Sequence, residues 1–445
     1  MWLLPHFARL SGFIIRLYYR ASRSGAPVPP RGPVLVVANH PNTLLDPIFV
    51  AWAAGRPMRF LAKAPLFRIP VLGWLVRGSG ALPVYRRQDD PALTEKNEDT
   101  FLAVHDALAK GSAVALFPEG ISHSQPELAP LRTGAARIAL GAAARVGRAF
   151  PIIPVGLVFR HKDRFRSEAH AVVGDAIAWD DLAARGASDR EAVAQLTARI
   201  ERAMRAITLN LARWEDERVV RAAEAIWAAA QGADMSPGER IDRLQTAADV
   251  LARARASGDP RWSALARDVA AHARSLSILG LRARDLEGPG TTVRGARIAG
   301  GRITLAGVGE LVLAAVATLL FWIPYRLTGA LAGVVARDRE SVSTYRVLGG
   351  TIVFLAWIGM LVSGAAWWLG WIAAAATLVL APVIAVAGLH AAEQWRWTLV
   401  GARQWYMAHG SDPRIAALRA RQRDLARRLD EALASVPLEA PSARG

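Results

Sequence analysis

The sequence predicts an α/β protein: a mixed sheet flanked by helices, followed by a helical insertion and a C-terminal membrane hairpin. Three observations predict it. Between residues 28 and 180, short apolar runs alternate with helical patterns, the order of strands and helices in a layered α/β domain. Residues 181–285 then carry Ala, Arg, Glu and Leu at helical spacing without a strand signal. From Val347 to Leu389 no Lys, Arg, Asp or Glu occurs, about twice the ~20 residues that one membrane crossing needs. A chain of 445 residues is also too long for one ordinary core, so two or three units are expected.

The elements follow in order. Trp2, Leu3, Phe7, Leu10, Phe13, Ile14, Leu17 and Tyr18 repeat at helical spacing with Arg9, Arg16 and Arg20 elsewhere, which reads as an interfacial amphipathic helix within residues 1–27. The segment has neither the basic leader nor the small-residue cleavage site of a signal peptide. The alternative is a helix packed on the soluble core. Residues 34–38, 113–117 and 152–158 read as strands, and 96–110 and 133–147 as helices. Asp46-Pro47 looks like an N-cap and first-turn proline opening a short helix that Gly55 ends. Residues 181–300 are a helical region, broken at Ser257-Gly258-Asp259-Pro260, and then a Gly-rich link.

Residues 301–395 hold the membrane segments and 396–445 a charged helical tail. Gly364 to Gly370, with Trp367, Trp368 and Trp371, suits an interfacial turn between two spans. Arg326, Arg337, Arg339 and Arg346 precede the hairpin and Arg396, Arg403, Arg414 and Arg419 follow it, so both flanks read as cytoplasmic. The segment 303–336 carries Glu310 and is interrupted at Pro324, and reads as dipping in and returning; three full spans is the rival.

Lys and Arg outnumber Asp and Glu by 55 to 38, a formal charge of +17 that favours an anionic partner. The long apolar stretches assign that partner to a lipid bilayer. The basic residues are dispersed over helices without aromatic interleaving, which argues against nucleic acid. With no cysteine, a disulfide framework, a thiolate nucleophile and Cys-ligated metal are excluded. No residues have metal-ligand spacing, and no cofactor is expected.

Chemistry concentrates in four blocks. Asn39-His40-Pro41-Asn42-Thr43-Leu44-Leu45-Asp46 places a histidine and an aspartate on one turn after a buried strand. An imidazole held by a carboxylate can take a proton from a hydroxyl. The plain alternative is a capping Asp46 and a turn His40. Gly80 to Arg87 is an extended segment ending in paired arginines, the planar donors suited to phosphate, or else a solvated strand end. Phe117-Pro118-Glu119-Gly120 sets a carboxylate at a strand end, able to accept hydrogen bonds or orient its neighbours, or simply forms a β-turn. Ile152-Ile153-Pro154-Val155 suits a wall.

In this order the four blocks resemble the glycerolipid acyltransferase family, which includes glycerol-3-phosphate and 1-acylglycerol-3-phosphate acyltransferases. The resemblance implies an acyltransferase-type sheet, His40 as general base supported by Asp46, and a catalytic role for Glu119. It also implies substrate-binding roles for Asn39, Lys63, Arg86 and Gly120, with Arg86 on the acceptor phosphate. Five residues separate His40 from Asp46 where the family has four, and Ile121-Ser122-His123 replaces the usual Thr-Arg-Ser. Both features, with Leu131 to Arg137 and the membrane hairpin, look like the fungal-type subgroup acting on glycerol 3-phosphate and dihydroxyacetone phosphate. The implied activity moves a fatty acyl group from a thioester (acyl-CoA or acyl-carrier protein) to a phosphorylated glycerol acceptor. A lysophospholipid acceptor and a catalytically silent membrane scaffold are the other readings.

Overall fold

The computed structural model describes residues 1–85, 97–211, 213–231, 237–286, 305–336, 338–409 and 413–435. The chain divides into two units. The first comprises Met1–Ala212, Ser236–Gln245 and Arg337–Thr344.

Unit 1 is built on seven strands: β1 (Arg20–Gly25), β2 (Val34–Ala38), β3 (Met58–Lys63), β4 (Leu82–Val84), β5 (Ala113–Leu116), β6 (Ile152–Phe159) and β7 (Glu168–Val173). They lie in the order β1-β7-β6-β2-β5-β3-β4. Only β6 and β7 pair antiparallel, so the sheet is mixed, as the sequence predicts. All five residues of β2 are buried, as suits a central strand covered on both faces.

Seven helices begin in this part of the chain: α1 (Leu4–Tyr18), α2 (Leu45–Ala54), α3 (Leu72–Gly78), α4 (Asn97–Ala109), α5 (Gly134–Val146), α6 (Arg190–Ile207) and, later, α8 (Pro237–Ala256). Leu35 and Val37 face a core shared with Val104 and Leu108 of α4, Ile138 and Leu140 of α5, and Leu196, Ile200 and Met204 of α6. Strand side chains alternate between faces, so Val34 and Val36 look the other way, toward the side covered by α1 and α2. α6 therefore belongs to the α/β core, beyond the boundary at 180 expected from the sequence. Its N-cap Asp189 accepts from the backbone N–H groups of Glu191 and Ala192.

Two local expectations need correction. Asp46 does not cap α2: the helix opens at Leu45 and the carboxylate turns back into the preceding loop. Residues 364–369 are not a turn, because the helix persists to Leu369 and Gly370 alone breaks it, at φ +89°.

Unit 2 contains α7 (Trp214–Ala230), α9 (Pro260–Ile278), α10 (Leu305–Val335), most of α11 (Val342–Leu369), α12 (Trp371–His409) and α13 (Pro413–Ser435). Gly258 and the N-cap Asp259 open α9 where the sequence predicts a break. Ile226, Val269 and Leu425 join α7, α9 and α13 in one small core. The Gly-rich link at 287–304 lies outside the described residues.

Three helices are long and apolar enough to cross a membrane: Gly307–Val335, Val342–Leu369 and Trp371–Arg396. They mark the chain as membrane-associated. Trp367, Trp368 and Trp371 stand exposed around Gly370, as tryptophans at a bilayer interface do.

α10 has two limbs. In its first half, the Gly307 carbonyl accepts from Trp395 Nε1 at 3.2 Å, and Ala317 sits against Gly388, antiparallel to α12. In its second half, Phe321 stacks on Phe354 with centroids 5.9 Å apart and Thr328 sits against Gly350, antiparallel to α11. Since α11 and α12 meet at Gly370, α10 bends between these contacts, at Pro324. Proline lacks the N–H that would reach the Leu320 carbonyl, and Trp357 Nε1 donates to that carbonyl instead, at 3.1 Å.

Close approach at Gly156 locks α6 onto β6: a Cβ there would lie 2.2 Å from the Ile207 carbonyl oxygen. Gly156→Ala is expected to destabilise the chain by about 1–3 kcal/mol, read by thermal unfolding. An unchanged melting temperature would show that the C-terminal end of α6 can move aside freely.

Candidate active site

The site forms where β2 and β5 end side by side. These strands are parallel, with Val37 opposite Leu116, so their C-terminal loops are adjacent. Ligand sites in α/β sheets occupy this edge. The loop after β2 carries His40 and the loop after β5 carries Glu119.

Glu119 is almost wholly buried and joins the two loops. Its Oε1 accepts the backbone N–H of His40 at 2.8 Å. Its Oε2 accepts the backbone N–H of Ala129 at 2.9 Å and a hydrogen bond from the His123 ring. The Gln125 N–H donates to His123 Nδ1 at 3.1 Å, which places the ring proton on Nε2, toward Glu119. The His123 N–H donates to the His40 carbonyl at 3.2 Å. The main chain of His40 is thus held at both its N–H and its carbonyl.

His40 itself is set by Asp46, their Nδ1 and Oδ2 atoms 2.8 Å apart. The same oxygen accepts the Asn42 N–H at 2.6 Å. An ionised carboxylate is acceptor only, so Nδ1 donates and Nε2 keeps its lone pair. The imidazole stacks on Phe117 at 4.0 Å between centroids and 11° between planes. Its side chain is 19% exposed while that of Asp46 is 0% exposed, so a buried acid holds a base with one open edge. Burial pushes the Asp46 carboxyl up from its usual value, opposed by the His40 hydrogen bond and charge, the Asn42 N–H and the charge of Lys162.

The other residues singled out from the sequence fall into different positions. Asn39 spends both ends of its amide on the main chain of Leu157: Nδ2 donates to the carbonyl at 3.0 Å and Oδ1 accepts the N–H at 2.7 Å. It extends the β2–β6 pairing by one step. Lys63 ends β3 at the same sheet edge, exposed and without a polar partner among the described residues. Gly120 has φ +73°, and a Cβ there would lie 2.6 Å from Arg132 Nε, so the position needs glycine. Arg86 lies outside the described residues. Tyr85 and Asn97 flank that stretch and bind each other, Tyr85 N–H to Asn97 Oδ1 at 2.9 Å and Asn97 Nδ2 to the Tyr85 carbonyl at 2.6 Å.

Sequence reasoning missed His123 and Lys162. His123, noted there only as part of Ile121-Ser122-His123, is a direct partner of Glu119. Lys162 Nζ donates to the Pro41 carbonyl at 2.8 Å, bracing the turn from beneath. Its only sequence signal is its place just past a strand end.

Residues 22–158 match the protein-family model described as Acyltransferase. The glycerol-3-phosphate O-acyltransferase 2 of Saccharomyces cerevisiae is 34% identical over 134 residues, 29% of this chain and 18% of that protein. A chloroplastic 1-acyl-sn-glycerol-3-phosphate acyltransferase of Brassica napus is 32% identical over 126 residues, 28% of this chain and 33% of that protein. The lyso-ornithine lipid O-acyltransferase of Pseudomonas aeruginosa is 31% identical over 153 residues, 34% of this chain and 52% of that protein. The matched stretch thus spans from under a fifth to about half the length of these relatives. All three alignments fall on a stretch the length of one domain. Residues 22–158 of this chain are thus similar to an acyltransferase domain.

Proposed function

We propose that the chain is a membrane-bound O-acyltransferase that moves a fatty acyl group from an acyl thioester to the hydroxyl of glycerol 3-phosphate or dihydroxyacetone phosphate. The observation that carries this reading is the 2.8 Å contact between His40 and a fully buried Asp46, with the far edge of the imidazole open. Nε2 takes the proton of the acceptor hydroxyl as its oxygen attacks the thioester carbonyl. The C–S bond then breaks, and the departing thiolate receives a proton from the imidazolium. Transfer is direct, in keeping with a chain that contains no cysteine. Glu119 acts as a positioning residue, since both its oxygens are already occupied by His40, Ala129 and His123.

Lys63, at the open edge beyond β3, and Arg86 are the cations proposed for the acceptor phosphate, with Gly120 as a further substrate-binding position. A phosphate so held fixes the hydroxyl against His40 and supplies the orientation term of catalysis. A lysophospholipid acceptor is the second reading, favoured by the names of the Brassica and Pseudomonas relatives. The catalytic unit faces the cytoplasm in this reading, by the arginines that flank the apolar helices. α11 and α12 cross the bilayer as a hairpin, while α10, bent at Pro324, enters and returns.

Membranes containing the chain, given labelled acyl-CoA and each acceptor in turn, decide between acceptors by which product carries label. His40→Ala is expected to cut transfer at least ~100-fold with the melting temperature preserved. Near wild-type turnover in that variant would refute the assignment.

Asp46→Asn separates function from stability. Because burial raises the Asp46 carboxyl, the folded chain holds that proton more tightly than the unfolded chain. The stability this group contributes is full below its unfolded value and is lost as pH rises through the folded one. An amide escapes that loss. The variant should therefore melt at or above the wild-type temperature at pH 7, the gap closing as pH falls toward ~4, while turnover drops ~100-fold or more. A variant melting far below wild type at pH 7 would mean that the ionised pair stabilises the fold.

A further inference from the structure

Thr43 stands between His40 and Asp46 with φ +42°, a left-handed conformation that β-branched residues avoid. Such a residue persists only where its surroundings over-determine it. Its N–H donates to Ser122 Oγ at 3.1 Å. Its hydroxyl donates to the Glu340 carbonyl at 3.1 Å and lies 2.7 Å from Thr344 Oγ1. The single Thr43 hydroxyl proton is engaged by the carbonyl, so Thr344 is the donor in the second bond.

The same short segment grips the turn at two further points. The Glu340 carboxylate accepts the Ser124 hydroxyl and lies 3.7 Å from Lys162 Nζ, which holds the Pro41 carbonyl. The fully buried Ser343 hydroxyl donates to the Lys162 carbonyl and lies 3.3 Å from the Tyr19 hydroxyl, which accepts Asn42 Nδ2–H at 2.7 Å. Pro41, Asn42 and Thr43 are thus each held, directly or through one side chain, by residues 340–344. That segment ends the link between α10 and α11 and opens α11, almost 300 positions along the chain, yet it belongs to unit 1.

We propose that Glu340, Ser343 and Thr344 are positioning residues of the active site. They clamp Thr43 in its left-handed conformation so that a turn with five residues between histidine and aspartate still closes the His40–Asp46 bond. The proposal rests on the reading of His40 as the base. The extra residue has to be taken up somewhere between Pro41 and Leu45, and Thr43 is the only one of these with positive φ. Released from the clamp, Thr43 relaxes toward an ordinary conformation and the imidazole loses its orienting acid. The end of the link before α11 and the first turn of α11 then support the catalytic machinery, and the acyltransferase domain is incomplete without them.

The test uses the full chain in lipid vesicles. Thr344→Val should lower kcat about 10- to 100-fold with the acceptor KM changed less than twofold, because the base is misplaced and the phosphate contacts are untouched. Thr344→Ser, which keeps the hydroxyl, should restore most of the rate. Equal rates for wild type and Thr344→Val, or loss in both variants alike, overturn the proposal. A second measurement needs no activity. The chain has no native cysteine, so a Thr43→Cys, Thr344→Cys double variant can form only one intramolecular disulfide. Oxidation should protect both thiols from maleimide, and two freely labelled thiols overturn the clamp. An inactive wild type, with the double-cysteine variant still crosslinking, would remove the acyl-transfer reading and leave the clamp standing; an active wild type, with that variant failing to crosslink, would do the reverse.

Discussion

One hydrogen bond organises the site: the one by which a buried aspartate orients an imidazole whose other edge is open. A carboxylate with no solvent exposure is costly to keep ionised, and Asp46 is kept so by His40, the Asn42 N–H and the nearby charge of Lys162. Its second oxygen, Oδ1, has no hydrogen-bond partner among the described residues. The arrangement therefore spends stability on orientation. A neutral amide would sit there more comfortably, but its NH2 can donate to Nδ1 as readily as its oxygen accepts, so it no longer fixes the tautomer.

Around that bond the fold supplies rigidity from several directions. β2 and β5 bring two loops together, Glu119 ties them, and His123 closes the ring by bonding both the Glu119 carboxylate and the His40 carbonyl. Phe117 stacks on the imidazole and excludes water from one face. None of these groups needs to touch a substrate. Their shared effect is that His40 has little freedom before an acceptor arrives, which is the condition for orientation to lower a barrier.

The parts of this arrangement legible in the sequence are those encoded locally. An apolar run followed by His and Asp on one turn, and another followed by Pro-Glu-Gly, announce two strand ends with chemistry at their mouths. The central strands were equally plain. β1, β3 and β7 were not singled out, because Arg20, Arg23, Arg59, Glu168 and His170 interrupt the apolar pattern that marks β2, β5 and β6. Asp46 reads as a helix cap from spacing alone, since an Asp-Pro pair before an apolar run has the same letters whether the carboxylate faces forward or back. The division of labour between Glu119 and His123, and the grip of residues 340–344 on Thr43, depend on contacts across the fold. Glu119 and His123 stand only four residues apart, but their shared hold on His40 spans 79 positions and the grip on Thr43 almost 300. Pro324 is a middle case: the sequence marks a break, and the two registers of α10 against α11 and α12 show what it does.

If His40 activates the acceptor hydroxyl directly, thioester cleavage must wait for an acceptor. A cysteine-free chain makes this easy to read, because every thiol detected comes from the acyl donor. Purified full-length protein in lipid vesicles, mixed with acyl-CoA, should release no thiol until a phosphorylated glycerol acceptor is added, and then one thiol per acylated product. Thiol release without acceptor, or none with any acceptor, would contradict direct transfer by the His40–Asp46 pair.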